Sequence, residues 1–336
     1  MITPAFGLTA TERVLPRLAL DFTTASLDPR ITFTRTTGAS NPATYIDSSG
    51  VITAATNNQP RFDYDPVTLV CKGLLIEESR TNSLLNTDLL STQIVTVTAA
   101  VRTLSFYGTG SVTLSGAHTA VVSGAGAYPT RTTYSFTPTA GALTLTVAGT
   151  VQFAQLEAGA FATSYIPTTT TALTRNADVA TMTGTNFSDW YNQSEGSFVA
   201  TYETPSSVAA NTNRIIAVNN GVGNRILGYV GSSITLKELV TSSGVSQVSS
   251  TLNIASAFGA KNTIALTYKL NQFYSSANGG TVSIDSSGSL PISVTNMVIG
   301  SSEVGDGSYA INGWVEKIQY YPQCITVNET QALSKG

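Results

Sequence analysis

The chain has 336 residues, of which 11% are charged, 42% are hydrophobic and 88 are Ser or Thr. Ordinary chains carry about 25% charged residues, so this is an uncharged but polar protein with too much apolar content for disorder. Seventeen Lys and Arg against 20 Asp and Glu leave a net charge of −3, which excludes the basic patch that nucleic acid requires.

In chain order, the first residues, Met1 to Leu20, lack the basic start and continuous apolar core of a signal peptide, and export by that route is not expected. No apolar run approaches the roughly 18 residues of a membrane helix. Residues 1–78 alternate weakly and carry several prolines, among them Pro4, Pro16, Pro29, Pro42, Pro60 and Pro66. That pattern predicts an extended N-terminal arm with a few strands, ordered by a partner surface. From there the chain reads at period two. Leu143, Leu145 and Val147 alternate with Thr144 and Thr146; Phe198, Ala200 and Tyr202 with Val199 and Thr201; Ile264, Leu266 and Tyr268 with Thr263, Ala265 and Thr267. Apolar positions two apart share one face of a strand, and Thr, Val, Ile and Tyr suit a pleated surface. Turn signals separate these runs at Asp47–Gly50, Asn220–Gly221, Asn278–Gly280, Asp285–Gly288 and Asn312–Gly313, where Asn-Gly supplies the positive φ of tight hairpins.

The fold class expected is all-β, an arm followed by two jelly-roll β-sandwiches. Residues 79–175 form the first, including the linker Thr168–Ala172, and residues 183–325 form the second. Asp189-Trp190-Tyr191 reads as the start of a short helical turn. Residues 326–336 read as a short helix, because Thr326-Val327-Asn328-Glu329 fits a capping box. Cys71 and Cys324 read as reduced and buried.

Chemistry is sparse. A hydrolytic triad needs a base, usually His; His118 is the sole histidine and lies in a polar turn-like stretch, so a hydrogen-bonded structural role is expected. Two distant cysteines and one histidine do not make a zinc site, and Glu303–Gly307 reads as a turn in preference to a Ca²⁺ loop. No metal, no cofactor and no catalytic residue are expected. Glycoside hydrolysis needs only two carboxylates, and Glu195, Glu203, Asp285, Glu303, Asp306 and Glu316 are the candidates, with no recognisable pairing. Aromatic side chains are the better clue, since sugars dock on flat rings with a few polar groups fixing their hydroxyls. Trp190, Tyr191, Tyr229, Tyr309 and Trp314, at expected strand ends and loops, are the glycan-binding candidates.

Three stretches carry a resemblance. Gly73-Leu74-Leu75-Ile76-Glu77-Glu78-Ser79-Arg80-Thr81-Asn82 resembles a segment common in bacteriophage virion proteins. Residues 155–167, Gln-Leu-Glu-Ala-Gly-Ala-Phe-Ala-Thr-Ser-Tyr-Ile-Pro, with Leu173–Asp178, resemble the next block of the same proteins. Asn296–Gly300 and Ile311–Pro322 resemble the last strands of a laminin G-like, concanavalin A-like sandwich. The family is the phage head-spike, head-fibre and tail-fibre proteins. The resemblance implies a structural protein on the virion exterior, usually a homotrimer, anchored to capsid or tail proteins through the N-terminal arm. It also implies a carbohydrate-binding-module-like middle sandwich and a lectin-like last one, with host-surface polysaccharide as a partner. Alternatives are a purely architectural decoration protein and a polysaccharide depolymerase. Glu77, Glu78, Arg80 and Asn82 read, on their own chemistry, as a structural polar cluster.

Overall fold

The structure, a computed structural model, describes residues 15–35, 43–205, 213–231, 235–255 and 257–336. Two antiparallel sheets face each other in the larger of two sandwiches. One runs Ser283–Asp285, Gln272–Ala277, Lys261–Lys269, Glu195–Glu203, Gly313–Tyr321, Cys71–Ile76 and Phe62–Tyr64, with Leu18–Asp21 also paired to Gly313–Tyr321. The other runs Thr32–Thr34, Val179–Thr183, Asn296–Ile299, Asn213–Asn219, Arg225–Val230, Thr235–Ser242 and Val245–Ala255. Alternation decides which side chains meet between them. Phe198, Ala200 and Tyr202 from the first sheet join Ile216, Val218, Ile226 and Val230 from the second in one buried cluster, as period-two patterning requires.

The smaller sandwich packs Gln93–Val97, Ser111–Gly116, Ala120–Ser123 and Gly141–Ala148 against Arg102–Tyr107, Thr132–Phe136 and Gln152–Ala158. Leu104, Phe106, Val112, Leu114, Leu143, Leu145 and Leu156 fill its core. His118 belongs to this packing: its Nε2 lies 3.0 Å from the Tyr134 hydroxyl and its ring stacks on Phe136 at 4.5 Å.

The chain organisation differs from the expected series of arm, sandwich and sandwich. Leu18–Asp21, Thr32–Thr34, Phe62–Tyr64 and Cys71–Ile76 are strands of the larger sandwich: the first and last pair with Gly313–Tyr321, Thr32–Thr34 with Val179–Thr183, and Phe62–Tyr64 with Cys71–Ile76. The 1–78 segment is therefore no free-standing arm over its described part, and residues 1–14 lie outside the described residues. The smaller sandwich is inserted between the two halves of the larger one. Short strands with weak alternation carry little local signal; here their order comes from distant strands, Gly313–Tyr321 for Leu18–Asp21 and Cys71–Ile76 and Val179–Thr183 for Thr32–Thr34, which supply the hydrogen bonds they lack on their own.

The C-terminal helix Val327–Leu333 has the expected capping box: the Thr326 hydroxyl accepts from the Glu329 N–H and the Glu329 carboxylate accepts from the Thr326 N–H. Leu333 and Ile325 cover Val199, Ala265 and Tyr321. The face of Lys261–Lys269 that carries Ala265 and Thr267 is thus buried as well, and Thr267 donates to the Ser197 hydroxyl at 3.1 Å. Alternation predicted one solvated face, and the helix closes it.

Two local expectations change. The short helix is Thr185–Ser188, ending where Asp189-Trp190-Tyr191 was expected to begin one. Asn312–Gly313 is not a hairpin turn: Asn312 Oδ1 accepts the Glu78 N–H at 2.9 Å, and a Cβ on Gly313 would sit 2.2 Å from the Glu203 carbonyl oxygen. Glycine is there for close strand approach. Cys71 and Cys324 are both free and half-buried, and burial pushes both thiols up.

Candidate functional site

The outward face of the second sheet carries a cluster built by alternation. In Arg225–Val230, Ile226 and Val230 enter the core, which turns Arg225, Leu227 and Tyr229 to the opposite side. Arg214 pairs in register with Tyr229 across the neighbouring strand. Ala217, Leu227 and Val298 on this side are also buried. The connection after Asn296–Ile299 folds back on itself, with Ile311 N–H donating to the Gly300 carbonyl at 2.8 Å and Ser302 N–H to that of Ser308 at 2.8 Å. It delivers Glu303 and Tyr309 to the cluster.

Arg214 is held on several sides. Its Cζ lies 5.3 Å from the Tyr229 ring centroid and 4.8 Å from that of Tyr309. Its Nε donates to Glu303 at 3.2 Å, its backbone N–H donates to the Tyr309 carbonyl at 2.9 Å, and Glu303 also pairs with Arg225. Two guanidinium groups thus face one carboxylate. Burial pushes both arginines down, and for Arg225 the Arg214 charge adds to the effect. The Glu303 side chain is 4% exposed, whereas Arg225 keeps 19% and Tyr309 is 46% exposed. Chemically the cluster places two guanidinium groups, the kind of donor that suits a carboxylate, beside an accessible aromatic ring.

Tyr229 and Tyr309 are therefore brought together, around an arginine the aromatic reading did not anticipate. Trp190 and Tyr191 are corrected. They are 2% and 8% exposed, in a core cluster where Trp190 packs 5.0 Å from Tyr320 and Tyr191 packs 4.7 Å from Phe187. Neither ring can receive a sugar. Gly196 makes that packing possible, since a Cβ there would lie 2.5 Å from the Tyr320 hydroxyl and 2.6 Å from that of Tyr268. Trp314 lies apart from the outer face. Its Nε1 donates to Asp63 at 2.9 Å, and the Lys72 ammonium sits 3.5 Å from its ring centroid.

Glu77, Glu78, Arg80 and Asn82 fall at the joint between the sandwiches. Glu77 accepts from Ser164 and pairs with Arg61 at 2.8 Å and Arg175 at 3.5 Å. Glu78 pairs with Arg80 at 2.6 Å. Asn82 donates to the Ala154 and Ile166 carbonyls and accepts from Leu84 and Leu156 N–H groups. Asp178 completes the joint, pairing with Arg35 at 2.9 Å, with Arg61, and with Arg175 at 3.8 Å, all with fully buried side chains. Residues 73–82, 155–167 and 173–178 therefore meet in one polar joint.

The six candidate hydrolytic carboxylates are separately engaged. Glu303 holds the two arginines; Glu203 pairs with Lys72, Glu316 with Lys261 and Glu195 with Lys269. Asp285 and Asp306 accept from the Ser287 and Ser308 N–H groups in turns. Arg214 and Arg225 were missed in the sequence. Their signal is a charge inside a β-alternating run of a chain so poor in charge, where a solvated tip alone would be cheaper on a loop.

No protein-family model and no curated protein matches the chain. Among solved structures it is similar to the CBM40 module of Ruminococcus gnavus IT-sialidase bound to α2,3-sialyllactose, at 19% identity and TM-score 0.37, covering 43% of this chain and 84% of that one. It is also similar to NanB sialidase from Streptococcus pneumoniae, at 11% identity and TM-score 0.38, covering 45% and 26%. A SAP-like pentraxin from Limulus polyphemus aligns at 13% identity and TM-score 0.30, covering 42% and 69%.

Proposed function

We propose that the chain is a non-catalytic, glycan-binding protein of the bacteriophage virion exterior, and that it holds a carboxylate-bearing sugar on the outer face of the second sheet. The observation that carries the binding reading is Arg214 wedged between Tyr229 and Tyr309 beside Arg225, with both guanidiniums on the Glu303 carboxylate. An incoming carboxylate relieves the repulsion between the arginines and accepts charge-assisted hydrogen bonds, while the sugar ring packs on the exposed Tyr309 face. The virion reading is supported by the resemblance of residues 73–82, 155–167 and 173–178. Weak single sites suit such a particle, because many copies on one surface act together.

Titration with acidic and neutral oligosaccharides tests the binding. Acidic sugars should bind better, and their affinity should fall as salt is raised. Arg225→Ala should weaken them about tenfold or more, the worth of one charge-assisted hydrogen bond. Equal retention of neutral and acidic sugars, or an unchanged affinity in that variant, would overturn the assignment. Electron microscopy of particles with an antibody to the chain tests the virion reading; no labelling of the exterior would sink it. No release of reducing ends from polysaccharide is expected.

A further inference from the structure

A cavity lies in the joint between the sandwiches, about 160 Å³ in volume and walled by Tyr45, Asp63, Tyr107, Arg131, Ser164 and Trp314. That is space for about five waters at roughly 30 Å³ each, or for one pyranose ring. It shares no residue with the outer-face cluster. We propose that this pocket is a separate binding site for a single neutral, hydroxyl-rich sugar ring, with Asp63 and Arg131 as its polar contacts and the tyrosine and tryptophan rings as its walls.

The charges select the class. Asp63 is 6% exposed; its Oδ1 accepts the Ile46 N–H at 2.6 Å and its Oδ2 the Trp314 indole N–H at 2.9 Å. Both partners are neutral, and a carboxylate has about four acceptor positions, so two remain for a ligand. Arg131 donates to the Thr163 carbonyl and the Ser105 hydroxyl, and its buried Nε has no partner. Glu77, also in the wall, is already paired with Arg61. An anion entering here meets Asp63 and Glu77; a cation meets Arg131. An apolar guest leaves the Asp63 and Arg131 positions dry, which costs free energy. Adjacent sugar hydroxyls satisfy both, one donating to Asp63 and one accepting from Arg131.

Burial pushes the Asp63 carboxyl up to about 6, against the Ile46 and Trp314 N–H groups. The charged groups that act on it are Arg61 and Glu77, which pair with each other; Cys71, Tyr107 and Tyr128 are pushed up by burial and stay neutral near pH 6. Ionised Asp63 is the better acceptor, so binding should weaken as pH falls through about 6.

The experiment titrates the full-length protein at pH 7.5 with methyl glycosides of glucose, galactose and mannose, followed by ligand-observed NMR. At least one should saturate with a dissociation constant of about 1 mM, near −4 kcal/mol. Ala162→Trp, which fills the cavity without removing a polar contact, should abolish it. Asp63→Asn should weaken it about tenfold and remove the pH dependence. Thermal melting of both variants checks folding; should the tryptophan variant fail to fold, the asparagine variant and the pH profile of the parent protein decide. No saturation by any of the three glycosides, or binding undiminished in a folded variant, overturns the proposal. Neither outcome depends on the outer-face site, because the probes carry no charge.

Discussion

Replacing Asp178 by Ala should cost the protein about 3–5 kcal/mol, the usual penalty for removing one partner from a buried ion pair. Asp178 faces Arg35, Arg61 and Arg175, and its carboxylate also accepts the Glu77 N–H at 2.9 Å. Without it, Arg61 and Arg175 keep the Glu77 carboxylate, while fully buried Arg35 loses the carboxylate it pairs with. Water cannot reach them, so the lost attraction is not replaced. Arg35 keeps its bond to the Thr56 carbonyl and Arg61 its bond to that of Thr44, which orients the charges and does not neutralise them. Urea unfolding at pH 7 measures the effect, and a change below about 1 kcal/mol would show that the joint is not a stability element. A pH dependence accompanies it. Burial raises Glu77, yet Arg175 and Arg61 prevail and hold it down to about 2. A depressed acid contributes stability that is present above its ordinary value near 4.5 and lost as pH falls toward 2. The parent protein should therefore weaken in acid over that window.

Glu238→Gln should do the opposite and stabilise the protein at neutral pH. Glu238 sits in Thr235–Ser242 between Leu236 and Val240, which are both in the core. It occupies a core position, 1% exposed, with Oε1 unpartnered and Ser275 beside it from the opposite sheet. Burial pushes its carboxyl up to about 8, opposed by the Ser275 hydroxyl and assisted by Asp285. The folded chain then keeps a proton that the unfolded chain loses near 4.5. Stability is unaffected below that value and is lost as pH rises toward 8, at about 1.4 kcal/mol per pH unit. The amide has the same shape and no charge to desolvate. The stability difference between variant and parent should grow by about 3 kcal/mol from pH 4.5 to 7. Denaturant unfolding across that range is the measurement, and a flat difference would mean that Glu238 reaches solvent or a counter-charge.

The two effects have one physical origin. In a chain this poor in charge, several of the charged groups lie inside the protein, where each is worth much more than at the surface. The joint spends them in compensated pairs, whereas Glu238 is left without one.

Much of the architecture was legible in advance. Period-two runs at Phe198–Tyr202 and Ile264–Tyr268 located strands and their core faces, because side-chain direction in a strand depends on the local backbone alone. Thr326–Glu329 announced the final helix, since a capping box satisfies its own N–H groups within four residues. Of the polar residues Glu77, Glu78, Arg80 and Asn82, Glu78 and Arg80 pair with each other, whereas Glu77 and Asn82 take partners far along the chain that local sequence does not mark. The tyrosines at 229 and 309 were legible as aromatic candidates, but not as neighbours.

The amino-acid sequence by itself determined the all-β class, the strand faces, the terminal helix and the low charge. Each follows from near-neighbour chemistry or from composition. Tertiary structure alone decided that residues 18–76 complete the larger sandwich and that Trp190 is core, not a sugar platform. It alone decided that Asp178 answers Arg35 and Arg61, and that Arg214 stands between two tyrosines. These contacts join residues far apart in the chain, and one sequence carries no local trace of which distant strand will offer a hydrogen-bonding edge or a counter-charge.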